Sequence, residues 1–279
     1  MATICRAAGV TEDFDEPMEK DITKAFSRLA SIDSRRLLTF ILNELDSFES
    51  INFESYSPGQ RRMLQMFYAS VWTDVIDFDV PQKAYDNLRV LARSKTLLGE
   101  MKGLLKYRFE LIDFVDSRLD FDFDCPLDLH CTYSRDQIML ALDFMKPSTV
   151  REGVKWLPDK KIDVLFVTLN KSDKDYSPTT MYKDYSINET LFHWQSQSTT
   201  SDTSPTGQRY IEHRKQGSKV LLCVRDSKKD AWGNTAPYSV LGFVDYVQHS
   251  GSRPMNIVWR LADEIPAKYI KQTRKMLVS

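Results

Sequence analysis

The sequence predicts an α+β protein: an all-helical N-terminal segment over residues 1–125, followed by a small, strongly curved β-barrel domain with inserted helices over residues 130–279. Three observations predict it. In the first part apolar residues return every three or four positions, with few breakers. In the second, short β-branched and aromatic runs alternate with Gly, Pro, Ser and Asp. Between them, the Asp-rich stretch from Asp120 to Asp128, with Pro126-Leu127 near its end, interrupts both textures and marks a boundary.

Ile32, Leu37, Leu38, Phe40, Ile41 and Leu45 keep helical spacing and predict the first helix. Ser57-Pro58 is a helix start, with a hydroxyl cap and a Pro whose missing N–H costs nothing in the first turn; Met63, Leu64, Met66, Phe67 and Trp72 follow it. A further helical stretch runs from about Pro81 through Leu91 and Leu104 to Val115. Beyond the boundary, Ile162 to Leu169 is the clearest strand. Lys219 to Arg225, Tyr238 to Gln248 with a bulge at Gly242, and Asn256 to Leu261 also read as strands. Helices are expected from Ser134 to Met145, from Pro205 to Lys215 and from Pro266 to Met276. Five or six short strands with a few helices suit a small, strongly curved barrel better than a parallel sheet.

With 279 residues and 42% hydrophobic content the chain can bury a full core. No long uncharged apolar window occurs, and Glu12, Asp13, Asp15, Glu16 and Glu19 stand where a secretory signal needs a basic start and an apolar core. The expectation is a cytoplasmic chain with no membrane partner. Cys5, Cys125, Cys131 and Cys223 form no C-x-x-C pair and read as reduced thiols. The net charge of −1 hides an asymmetry: residues 1–130 hold 16 Lys and Arg against 23 Asp and Glu, whereas residues 131–279 hold 22 against 16. A polyanion is therefore expected on the second part, and protein docking on the acidic first part.

Several chemistries lack their residues. There is no GxxxxGK[ST] phosphate cradle, so the chain is not itself a helicase motor. His213-Arg214-Lys215 approaches the H-x-K of a phospholipase D-like nuclease, but Val220 occupies the Asp position. No GxSxG, HExxH or HxE with PCxxC occurs either, so no enzyme and no cofactor are expected. His130, His193, His213 and His249 lack ligand spacing and read as packing, hydrogen-bonding or phosphate-contact residues.

Residues 177–210 concentrate aromatics, amides and hydroxyls. Tyr182, Tyr185, Phe192 and Trp194 can stack on bases, and Asn188, Gln195 and Gln197 can bond base edges. Lys183 and Arg209 can hold phosphates. Phe192, Trp194 and Ser196 alternate with His193, Gln195 and Gln197 as in a strand with one face packed inward. Phe192 and Trp194 accordingly read first as core, while Gln195, Gln197 and Lys183 read as contacts. Asp184 either caps a turn or accepts from an exocyclic amine such as cytosine N4.

The strings TMYKDYSI, LFHWQSQSTTSDTSPTGQRYIEH, PYSVLGFVDYVQHSGSRPM and REGVKWL closely resemble one family. It is the C-terminal domain of large bacterial proteins that join a phospholipase D-like nuclease to a superfamily 2 DEAD/DEAH helicase. Members include type IV, modification-dependent restriction enzymes used in phage defence, in which this end looks like a base-flipping, SRA-like barrel of the PUA-like kind. The resemblance spans about His130 to Pro266; residues 31–125 resemble only in pattern the helical coupling segment that precedes it. It implies a module that binds double-stranded DNA beside helicase and nuclease domains, in cis or in trans, and tests a flipped 5-methyl- or 5-hydroxymethylcytosine. Tyr182 and Tyr185 would stack, Asp184 and Gln195 would meet the cytosine edge, and His193 and Ser196 would wall the pocket. Lys183, Arg209, Arg214, Arg225 and Arg253 would touch phosphates, although Arg225 alternatively caps a strand end. The other reading is a module sensing general DNA shape or ends, without modification specificity.

Overall fold

The computed structural model describes residues 24–47, 53–72, 95–170, 184–231, 233–267 and 270. The chain forms two compact units, and neither is a single run of sequence. The first takes residues 1–115, 121–126 and 136–146; the second takes 116–120, 127–135 and 147–279.

The first unit is helical. Helix α1 (Arg35–Ser47) buries Leu37, Leu38, Phe40, Ile41 and Leu45, the stripe expected from their spacing. Helix α2 (Pro58–Val71) begins as Ser57-Pro58 predicts. Gln60 N donates to Ser57 Oγ at 3.2 Å, and Ser57 N donates back to Gln60 Oε1 at 2.8 Å, closing a capping box. Its other end is served by Arg28, which donates to Ser70 O and Val71 O at 2.6 and 2.9 Å, where helical carbonyls lack intrahelical partners. Helix α3 (Lys95–Glu110) buries Leu97, Met101 and Leu105; residues 81–94 of the expected stretch lie outside the described residues.

The short helix α4 (Arg135–Ala141) stops four residues before the expected end. Asp143 adopts a left-handed φ of 61°, Phe144 N donates to Met139 O and Asp143 N to Leu140 O, which is a Schellman ending built on Asp instead of Gly. The same Asp143 takes a bidentate pair from Arg62 at 2.6 and 2.7 Å, so its carboxylate fixes residues 136–146 within the helical unit.

The second unit is built on an eight-stranded mixed sheet. In chain order its strands are β3 (Thr132–Tyr133), β4 (Val154–Leu157), β5 (Ile162–Asn170), β6 (Tyr185–Ser186), β7 (Leu191–Gln195), β8 (Lys219–Ser227), β9 (Tyr238–Ser250) and β10 (Asn256–Leu261). A separate ribbon pairs β1 (Ser117–Arg118) with β2 (Asp128–Leu129). The sheet order is β4-β5-β8-β9-β10-β7-β6, with β3 also on β9. Strands β5 and β8 run parallel and the other pairs antiparallel.

This corrects the expected barrel. The α+β class and the helical N-terminal part hold, but the sheet is open: closure requires its first and last strands to pair, and β4 and β6 do not. Strand β6 has two residues, and among the described residues it pairs with β7 alone. The bulge expected at Gly242 is present. Leu222 opposes Gly242 while Cys223 opposes Val240, which leaves Leu241 as the extra residue. Gly242 has φ 96°, and a Cβ there would lie 3.1 Å from Leu129 Cδ1. Helix α5 (Pro205–Ile211), capped by Ser204, is shorter than expected, and most of the expected C-terminal helix lies outside the described residues. One face of the sheet carries the core, with Leu165, Val167, Leu222, Val224, Phe192 and Trp259 among its members. Among the described residues, no helix is long and apolar enough to cross a membrane.

Candidate nucleic-acid interface

Strand β7 alternates as its sequence requires. Phe192 and Trp194 turn into the core, where Trp194 meets Tyr210 edge-on at 5.5 Å, while Leu191, His193 and Gln195 are half-buried on the other face. Residues opposed in register share a face, so β6 and β10 add Tyr185 beside His193, Val258 beside His193 and Asn256 beside Gln195. The next strand, β9, extends these rows with Gln248 and Ser250, both exposed. Tyr185 and His193 stack with ring centroids 4.6 Å apart and planes 13° from parallel. Gln195 Nε2 donates to Asn256 Oδ1 at 3.2 Å. The result is a sheet surface carrying a stacked aromatic pair and a row of amides.

The structure brings together Tyr185, His193 and Gln195 on that surface, with Asp184 behind them. Asp184 is buried, and its Oδ1 accepts from Gln195 N at 2.9 Å, tying β6 to β7. Tyr182 and Lys183 lie outside the described residues. Trp194, a candidate for stacking on a base, is instead core, the other role that its alternation offered. Ser196 is fully buried; its Oγ accepts from Met255 N at 2.9 Å and thereby joins the β7 end to β10. Gln197 Oε1 accepts from Thr200 Oγ1 and Tyr210 Oη at 3.2 and 3.5 Å, so this amide organises the turn after β7. Asn188 accepts from Thr190 N and Leu191 N, an Asx arrangement that starts the strand.

The arginines expected on phosphates are largely engaged. Arg209 donates from Nε and Nη2 to Asp163 at 2.6 and 2.9 Å and lies 4.3 Å from the Trp156 ring centre. Burial holds the Asp163 carboxyl above its ordinary range, and the Arg209 guanidinium opposes that rise only in part. Arg214 grips Asp245, a bond that holds the Asp245 carboxyl below its ordinary range. Arg225 is buried over Tyr238. Arg253 is exposed in the turn between β9 and β10.

His213 has both ring nitrogens in use: Nδ1 faces Ser218 O at 3.3 Å, and Nε2 accepts from Tyr246 N at 3.1 Å. That pattern requires the neutral ring, and burial lowers its pKa accordingly. His249 Nδ1 meets Tyr246 Oη at 2.6 Å.

Two features escaped the sequence reading. Asn256, Gln248 and Ser250 join the surface from β10 and β9; the alternation Asn256, Val258, Arg260 against Ile257, Trp259, Leu261 was the available signal for the first of them. Asp116, Asp128 and Cys131 each place a ligand atom within 4.8 Å of the others, an arrangement with the donor types a divalent ion takes. Spacing could not reveal it, because it forms only when β1 pairs with β2.

Residues 127–272 match the family described as Domain of unknown function (DUF3427). The chain belongs to that family. The DUF3427 match contains the whole sheet and every described residue of the surface above. No curated protein matches the chain.

Proposed function

We propose that this DUF3427 chain is a non-catalytic DNA-recognition module that presents the Tyr185–His193 surface to bases and works beside helicase and nuclease domains. The observation that carries the reading is the stacked pair flanked by the Gln195 and Asn256 amides. Aromatic rings on a sheet give about 1–3 kcal/mol per stacked base, enough to offset the few kcal/mol of unstacking one nucleotide. An amide supplies both donor and acceptor to a base edge. The excess of Lys and Arg after residue 130 adds the charge a polyanion needs.

Within this reading the base is a modified cytosine, as the resemblance to SRA-type modules of restriction systems implies. Burying a 5-methyl group contributes only about 0.8 kcal/mol, so discrimination rests on fit, or on coupling to later steps of a larger assembly. The test is gel-shift competition of a labelled methylated duplex by methylated and plain duplexes of the same sequence. Stronger competition by the methylated duplex is expected. Equal competition would leave a sensor of DNA shape or ends, and no binding to either duplex would overturn the proposal.

A further inference from the structure

On the sheet face opposite the main core, β5 and β8 set Thr168 beside Arg225 in register. Arg225 is only 7% exposed. Its guanidinium lies 4.4 Å from the Tyr238 ring centre, Nε donates to Thr168 Oγ1 at 2.9 Å, and Nη1 donates to Ala236 O at 3.2 Å. These partners are all neutral. Among the described residues no ion pair joins Arg225 to a carboxylate, in contrast to the pairs that Arg62, Arg209 and Arg214 make. A second guanidinium, that of Arg135, reaches the same ring: it donates to Tyr238 Oη at 3.1 Å and to Val150 O at 3.0 Å, and it too has no ion-pair partner among the described residues.

A buried cation with only neutral partners is costly, and an anion beside it relieves that cost. Space for one exists. Arg225, Thr132, Ser227 and Lys229 line a cavity of about 360 Å³ at the mouth of the β8–β9 connection, at the lower end of the range for small-molecule sites. Asp226 and Asp230 also line it. Asp226 accepts from Asn170 Nδ2 and Ser227 Oγ, and Asp230 accepts from Asn234 N. Two carboxylates in the lining penalise a dianion more than a monoanion.

We propose that this cavity binds a small ligand through a singly charged oxyanion, a carboxylate or a phosphodiester, anchored by Arg225 and assisted by Lys229. The site goes beyond the recognition surface and does not depend on it, since β9 and β10 separate β8 from β7. A planar guanidinium meets either oxyanion through two parallel hydrogen bonds.

The experiment follows the melting temperature of the whole chain during titration with sodium acetate or with the dinucleotide TpT, against sodium chloride at matched ionic strength. A saturable rise with at least one probe is expected, as for any ligand that binds only the folded state. A response to acetate alone identifies a free carboxylate ligand, a response to TpT alone identifies nucleic-acid backbone, and either supports the site. Arg225→Gln should weaken the response roughly tenfold or more. Lys229→Ala, at an exposed position, leaves the fold intact and should weaken it severalfold. Without probe, Arg225→Gln should melt close to the unaltered protein, because it removes an unbalanced charge. No saturable response to either probe, or a response that Lys229→Ala and Arg225→Gln leave unchanged, would overturn the assignment.

Discussion

Arg209, on helix α5, and Arg225, on strand β8, both pack against β5, and they show two uses of a buried arginine. Each lies on an aromatic ring, Trp156 for Arg209 and Tyr238 for Arg225, and each bonds a residue of β5. Arg209 bonds Asp163, a fully buried carboxylate, and the two charges close on each other. Arg225 bonds Thr168, a hydroxyl, and keeps its charge beside a cavity. The first arrangement is structural and complete. The second leaves a cation for the oxyanion proposed above.

The largest effect is expected for Arg209→Ala. That change strands Asp163 in the interior, and chemical denaturation should show a loss of about 3–5 kcal/mol, the cost of leaving one member of a buried pair alone. A loss below about 1 kcal/mol would mean that Arg209 is as dispensable as the account makes Arg225. Next in size is Gly207→Ala on α5, the helix that carries Arg209. A Cβ at 207 would lie 1.9 Å from the backbone oxygen of Ser201, so thermal melting should report a penalty of roughly 1–3 kcal/mol or failure of the turn to form.

A smaller effect concerns pH. His213 is held neutral by burial, with Tyr246 N–H donating to its Nε2. Its folded pKa lies below the ordinary value of 6.5, so the unfolded chain binds the proton first as pH falls. The His213 contribution is therefore fully present above pH 6.5 and is lost as pH drops below it toward the folded pKa. Melting curves between pH 7.5 and pH 5.5 should show declining stability, with a shallower decline in His213→Gln. An identical slope in the two proteins would remove His213 from the account.

The legible parts of the fold were those governed by local rules. Ser57-Pro58 announced α2 because cap and Pro act within one turn, and Gly242 announced a bulge because only Gly takes that φ without strain. Strands β5, β8 and β10 followed from their composition. The end of α4 was hidden because Asp143, not Gly, takes the left-handed position, compensated by a pair with Arg62 far back in the chain.

The open sheet was hidden for a similar reason. Which strands lie at its ends depends on pairings between distant segments, above all the parallel match of β5 with β8. At the candidate site, alternation in β7 sorted Phe192 and Trp194 from His193 and Gln195 correctly. It could not reveal that Ser196, Gln197 and Arg209 spend their polar groups on Met255, Thr200 and Asp163, because those partners come from elsewhere in the chain or from the following turn.

DNA binding at the Tyr185–His193 surface, as proposed, is open to fluorescence anisotropy with a labelled methylated duplex. Tyr185→Ala and His193→Ala should each weaken binding by about 1–3 kcal/mol, roughly five- to 150-fold, while both variants stay folded with only a small loss of melting temperature from the lost stack. Unaltered affinity in both stably folded variants would contradict it.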